Sequence, residues 1–88
     1  MIKHEGQAFV YVNEEGQKLA ELTYVSMGEQ VINANHTFVD PSLRGQGIAD
    51  QLFQALIEYA RKEQVKIHPT CSYVVRKMSD EIYQDVKA

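Results

Sequence analysis

Val39-Asp40-Pro41-Ser42-Leu43-Arg44-Gly45-Gln46-Gly47-Ile48-Ala49 divides the chain into a β half and a helical half. Before it, apolar and polar residues alternate; after it, the apolar spacing becomes helical. Pro41 cannot join a strand ladder and biases Asp40 away from the α region, so the strand ends there. Gly45 and Gly47 then stand where a helix begins. A helix N-terminus presents unpaired N–H groups and a partial positive charge. Glycines at that point permit positive φ and let an anion approach the backbone. Spacing alone leaves two readings open: a pyrophosphate cradle, or a flexible turn that needs its glycines. The P-loop pattern is excluded because no Gly-Lys-Ser/Thr follows. Two glycines after a meander also fall short of the dinucleotide-binding fingerprint.

N-terminal to this stretch, Ala8 to Val12 is β-branched and aromatic and reads as a strand. Asn13-Glu14-Glu15-Gly16 is a turn. Gln17 to Met27 alternates, with Ala20, Leu22 and Tyr24 on one face and Glu21, Thr23 and Val25 on the other. Val31 to Val39 is a third strand, with Ile32, Ala34, His36 and Phe38 expected on one face. Short connections make the three strands an antiparallel meander. C-terminal to the glycines, Ile48, Leu52, Ala55, Leu56, Tyr59 and Ala60 recur at helical spacing, and Ala49, Phe53 and Ile57 widen the stripe. The spacing predicts an amphipathic helix from about Gly47 to Glu63 that packs on the sheet. Val65-Lys66-Ile67 is a fourth strand, parallel to the third because a helix joins them. Ser72 to Lys77 and Asp80 to Val86 are expected as short C-terminal helices. The fold class is therefore α+β: a β-meander plus a βαβ unit, with a central helix on a four-stranded sheet.

At 88 residues the chain is expected to form a single domain, 1–88. Its 44% hydrophobic and 24% charged residues suit an ordinary globular domain. A net charge of −3 and the lack of a basic block argue against a nucleic-acid partner. No apolar run is long enough to cross a membrane. Met1-Ile2-Lys3-His4-Glu5-Gly6 has no secretory h-region, and His4 is expected in a mobile terminus. One cysteine, Cys71, permits no intrachain disulfide and fits a cytoplasmic setting. His68-Pro69-Thr70-Cys71 has a His-x-x-Cys spacing without the further ligands zinc requires, so no metal is expected.

Arg44-Gly45-Gln46-Gly47-Ile48-Ala49 resembles the Arg/Gln-x-x-Gly-x-Gly/Ala motif of the GNAT acetyltransferase superfamily. Its setting is similar too: an antiparallel strand, a short Pro-containing loop, the motif, then a helix beginning Ile-Ala-x-x-Leu. The resemblance implies that acetyl-coenzyme A is the co-substrate. It implies that the amides of Arg44, Gly45, Gln46, Gly47, Ile48 and Ala49 hold its pyrophosphate, and that Thr37, Phe38 and Val39 line the pantetheine arm. The chain is shorter than typical members. It lacks the helices usually inserted between the first two strands and the final antiparallel strand pair, which together build the acceptor pocket. His36-Thr37, Arg44-Gly45-Gln46-Gly47 and Pro69-Thr70-Cys71-Ser72-Tyr73 resemble a minimal, single-domain GNAT-like subfamily, which implies that Cys71 lies near the thioester.

By residue type, Cys71 is a small buried hydrophobe. At a helix start, near a thioester, it is a candidate acyl carrier. His36 reads either as a hydrogen-bonded core residue or as a general base. Tyr73 is a candidate proton donor to the departing coenzyme A thiolate, whereas Tyr59 and Tyr83 are expected to pack. Arg76 and Lys77 either meet a coenzyme A phosphate or form a solvated helix face. Two function classes follow from the resemblance. One is an N-acetyltransferase acting on an unidentified amine, on a small molecule or a lysine side chain. The other is a non-catalytic coenzyme A or acyl-coenzyme A binding module. Either is expected as a monomer or homodimer. A third reading, an interaction protein with a merely structural glycine turn, needs no ligand.

Overall fold

The computed structural model describes all 88 residues. Five strands form one sheet in sequential order: β1 (Ile2–Glu5), β2 (Ala8–Val12), β3 (Lys18–Ser26), β4 (Val31–Val39) and β5 (Lys66–Pro69). The first four are antiparallel, and β5 is parallel to β4. Helix α1 (Ile48–Glu63) crosses one face of the sheet, and α2 (Ser72–Lys77) and a terminal 3₁₀ segment (Glu81–Val86) pack beside it. The α+β meander with its βαβ unit is as the sequence predicts.

The four-stranded expectation is corrected by β1. Its burial is slight, so no apolar alternation announces it. A tight turn at Gly6, where φ is +57°, folds it onto β2 in the register Glu5 to Ala8. His4 is likewise not in a mobile terminus. Its ring stacks on Phe9 at 4.3 Å, and its Nε2 lies 2.6 Å from the Tyr24 hydroxyl. Burial pushes the Tyr24 phenol up to about 12, and the neighbouring Tyr59 phenol adds to the shift. Tyr24 therefore keeps its proton and serves packing.

Ile48, Leu52, Phe53, Leu56, Ile57 and Ala60 of α1 are buried against Phe9, Ala20, Leu22, Tyr24, Ile32 and Ala34 of the sheet. Each large apolar side chain so buried stabilises by roughly 1.5–3 kcal/mol. An exposed ion pair such as Arg61 with Asp85, at 2.9 Å, is screened by solvent and adds little. The apolar stripe, not surface charge, therefore fixes α1 and with it the loop at its N-terminus. Tyr59 and Tyr83 pack as expected: Tyr83 is buried edge-on to Phe53 and accepts a hydrogen bond from Gln54.

A β-bulge corrects the face assignment of β4. Thr23 lies opposite His36, and Tyr24 lies opposite Ala34, so Asn35 is the extra residue. Ile32 and Ala34 face α1. Beyond the bulge, Thr37 and Val39, paired with Leu22 and Ala20, return to that side. His36 and Phe38 turn to the uncovered face, where both are exposed. His36 is thus not a core residue. Strict period-two alternation fails here because one residue is inserted.

Candidate functional site

Strands β4 and β5 stay paired only as far as Ala34 and Pro69. The amides of Thr70 and Cys71 both donate to the Ala34 carbonyl, at 3.0 and 3.1 Å, and the chain then turns into α2. From Asn35 to Val39, β4 has no strand on its β5 side. An unpaired strand edge offers backbone donors and acceptors to an extended ligand.

This edge runs into the glycine loop. Asp40 accepts from the Ser42 amide at 2.9 Å and starts a single 3₁₀ turn, Pro41–Leu43. Gly45 and Gly47 follow with φ of +83° and +73°, a region L side chains rarely adopt. An added Cβ at either glycine would meet no atom within 4 Å, so the space in front of them is open. Arg44 and Gln46 spend their amides on turn bonds of 3.3 Å to Pro41 and Leu43. The amides of Gly45, Gly47, Ile48, Ala49 and Asp50 donate to no group of the protein. Of the amides expected to donate, those of Arg44 and Gln46 are therefore engaged within the loop, while that of Asp50, outside the expected set, is free. Free donors at a helix N-terminus are the chemistry an anion requires.

The loop borders a cleft of about 210 Å³, whose wall includes Val39, Leu43, Arg44, Asp50 and Tyr73. Its free donors, not its size, single it out; concavities of about 410 and 530 Å³ lie along β1. Tyr73 comes from the first turn of α2. Burial raises its phenol above the ordinary value, so it holds its proton at neutral pH.

Cys71 caps α2 and is half-buried. Its Sγ lies 3.4 Å from Oγ1 of Thr37, on the unpaired part of β4. Burial pushes the thiol up, but the Thr37 hydroxyl and the amides of Val74, Tyr73 and Thr37 favour the thiolate and outweigh it. The thiol sits below its ordinary value. Alkylation of Cys71 by iodoacetamide should accordingly rise with pH around a midpoint below that of an ordinary, solvent-exposed cysteine. Thr37→Ala should move that midpoint up. An unchanged midpoint would remove Thr37 from the thiol's environment.

The structure thus brings Cys71, Thr37, Val39, Tyr73 and the glycine loop to one side of the sheet. His36 stands apart on the uncovered face with Phe38. Around it lies a polar row: Thr23 donates to Asn35 at 2.6 Å, and Thr70 donates to Asn33 at 2.7 Å. Sequence reasoning missed Leu43 and Asp50 in the cleft wall. Asp50 was findable, because the third residue of a helix that follows Gly47 must carry a free amide.

Residues 7–86 match the family model described as GCN5-related N-acetyl-transferase. A GCN5-like protein of Staphylococcus aureus, solved by NMR, is 36% identical with a TM-score of 0.80, covering 100% of this chain and 87% of that one. Protein NATD1 of Homo sapiens is 33% identical over 61 residues, 69% of this chain and 54% of its own length. The chain spans about half the length of the curated relatives it matches. The GNAT family N-acetyltransferase YhbS of Escherichia coli, solved in complex with CoA, shares the fold. Its TM-score is 0.62 and its identity 24%, over 70% of this chain and 38% of that one.

Proposed function

This chain belongs to the GCN5-related N-acetyltransferase family, and on that premise we propose that it transfers an acetyl group from acetyl-coenzyme A to an amine. The observation that carries the reading is the cleft in which the free amides of Gly45, Gly47, Ile48, Ala49 and Asp50 share a wall with Val39 and Tyr73. Val39 ends the unpaired edge of β4, and Thr37 on the same edge lies 3.4 Å from Cys71 Sγ. A diphosphate fits the first part, with its oxygens on the amides of Gly45 and Gly47 to Asp50. An extended, amide-bearing arm fits the second, as an added strand beside Thr37, Phe38 and Val39. Coenzyme A carries both groups, and the likeness to a fold neighbour solved with CoA supports the choice.

In this reading Cys71 carries the acetyl group. Its thiolate sulfur bonds to the acetyl carbonyl carbon, and the bond from that carbon to the coenzyme A sulfur breaks. The departing thiolate takes a proton from Tyr73. The amine nitrogen then bonds to the same carbon, and the bond to Cys71 Sγ breaks. Thr37 holds Cys71 in place at 3.4 Å. An amine entering from the uncovered face meets His36, which accepts the proton that the amine loses.

Incubation with acetyl-coenzyme A and a panel of primary amines, reading coenzyme A thiol release and product mass together, tests the assignment. Acceptor-dependent thiol release with an acetylated product is expected. Coenzyme A binding without transfer to any amine would instead make the chain a binding module.

A further inference from the structure

Asp50 places a carboxylate in the wall of the cleft, on the first turn of α1. A carboxylate suits the helix dipole there, yet it opposes any second anion held by the same amides. Arg44 and Asp50 are the charged residues of that wall, and together they cancel. The balance is tipped from behind. Lys77, in the last turn of α2, sets its Nζ 2.7 Å from Oδ1 of Asp50 and 5.6 Å from the centre of the Phe53 ring. The hydrogen bond from Lys77 holds Asp50 below the usual carboxylate range, so both charges persist at neutral pH.

The geometry points to Lys77 as the counter-ion of the cradle: it neutralises Asp50, so that the loop amides can hold a diphosphate, and it pins α2 against the loop. This inference rests on the coenzyme A reading above. Lys77 is a positioning residue that acts through Asp50. It gives the solvated helix face a function, and it links the anion end of the cleft to the helix that carries Cys71 and Tyr73.

Calorimetric titration of the full chain with coenzyme A tests it in five forms: wild type, Lys77→Met, Lys77→Arg, Asp50→Asn and the double variant of Lys77→Met with Asp50→Asn. Lys77→Met should raise the dissociation constant about tenfold, the order of one charge interaction at a partly exposed site. Asp50→Asn should bind at least as tightly as wild type, because it removes the opposing charge. The double variant should return to within about twofold of wild type, and Lys77→Arg should bind as wild type does. Pantetheine, which has no phosphate, should bind all forms alike. Wild-type affinity in Lys77→Met, or a double variant as weak as Lys77→Met alone, would overturn the inference. Should Lys77→Met fail to fold, Asp50→Asn still decides: weaker coenzyme A binding by that variant would contradict the counter-ion role. Failure of the wild type to bind coenzyme A would sink the functional reading itself, a separate outcome.

Discussion

Gly47→Val should abolish the thermal stabilisation of this protein by coenzyme A. Ligand at 100 times its dissociation constant stabilises a fold by about 2.7 kcal/mol. For a domain of this length that is roughly 10–20 °C in Tm. Gly47 has φ of +73°, and the space where its Cβ would stand is open. A valine there costs roughly 1–2 kcal/mol in backbone conformation. It also fills the volume that an anion needs to reach the amides of Gly47, Ile48 and Ala49. The unliganded variant should therefore melt several degrees lower and show no further shift with coenzyme A. A folded Gly47→Val with the wild-type shift would show that the ligand binds elsewhere.

Cys71→Ala should eliminate acyl capture while leaving coenzyme A binding intact. With acetyl-coenzyme A and no acceptor, the wild type should gain one acetyl group by intact mass, removable with hydroxylamine. The variant should gain none, because it lacks the sulfur beside Thr37 that is proposed to carry the acetyl group. Its coenzyme A dissociation constant should stay within about twofold of wild type, since the free amides of the loop are untouched. Cys71→Ser should fold but turn over slowly, a hydroxyl being far less ionised than a thiol. Transfer by Cys71→Ala at the wild-type rate would assign the chemistry to direct attack by the amine and return Cys71 to packing.

The elements around the glycine loop were legible in the sequence for one reason. Each carries a repeating signal: period two in β3, a helical stripe in α1, and Pro41 with two glycines between them. Three features carry no such signal. β1 is an edge strand held by backbone pairing and by the His4 ring, so its polar sequence looks like a free terminus. The bulge at Asn35 has no residue type of its own, and the alternation of Ile32, Ala34, His36 and Phe38 argues against it. The pairing of Asp50 with Lys77 joins helices that are distant in sequence and becomes visible only once α2 is packed. The site divides in the same way. The glycine loop and its free amides are local to one strand-to-helix junction, so their place could be read from spacing. The neighbours of Cys71 and the face occupied by His36 depend on where β4 bulges and where β5 leaves it.

Titration of isotopically labelled protein with coenzyme A, followed by amide chemical shifts, reads out residue by residue whether the ligand occupies the glycine loop and the β4 edge. The amides of Gly45, Gly47, Ile48, Ala49 and Asp50 donate to nothing in the protein, and the edge of β4 from Asn35 to Val39 is unpaired. The largest shifts should fall on these two segments and on Tyr73, with β1 and the exposed side of α1 unchanged. Shifts confined to the concavities along β1, or none at saturating coenzyme A, would contradict the account.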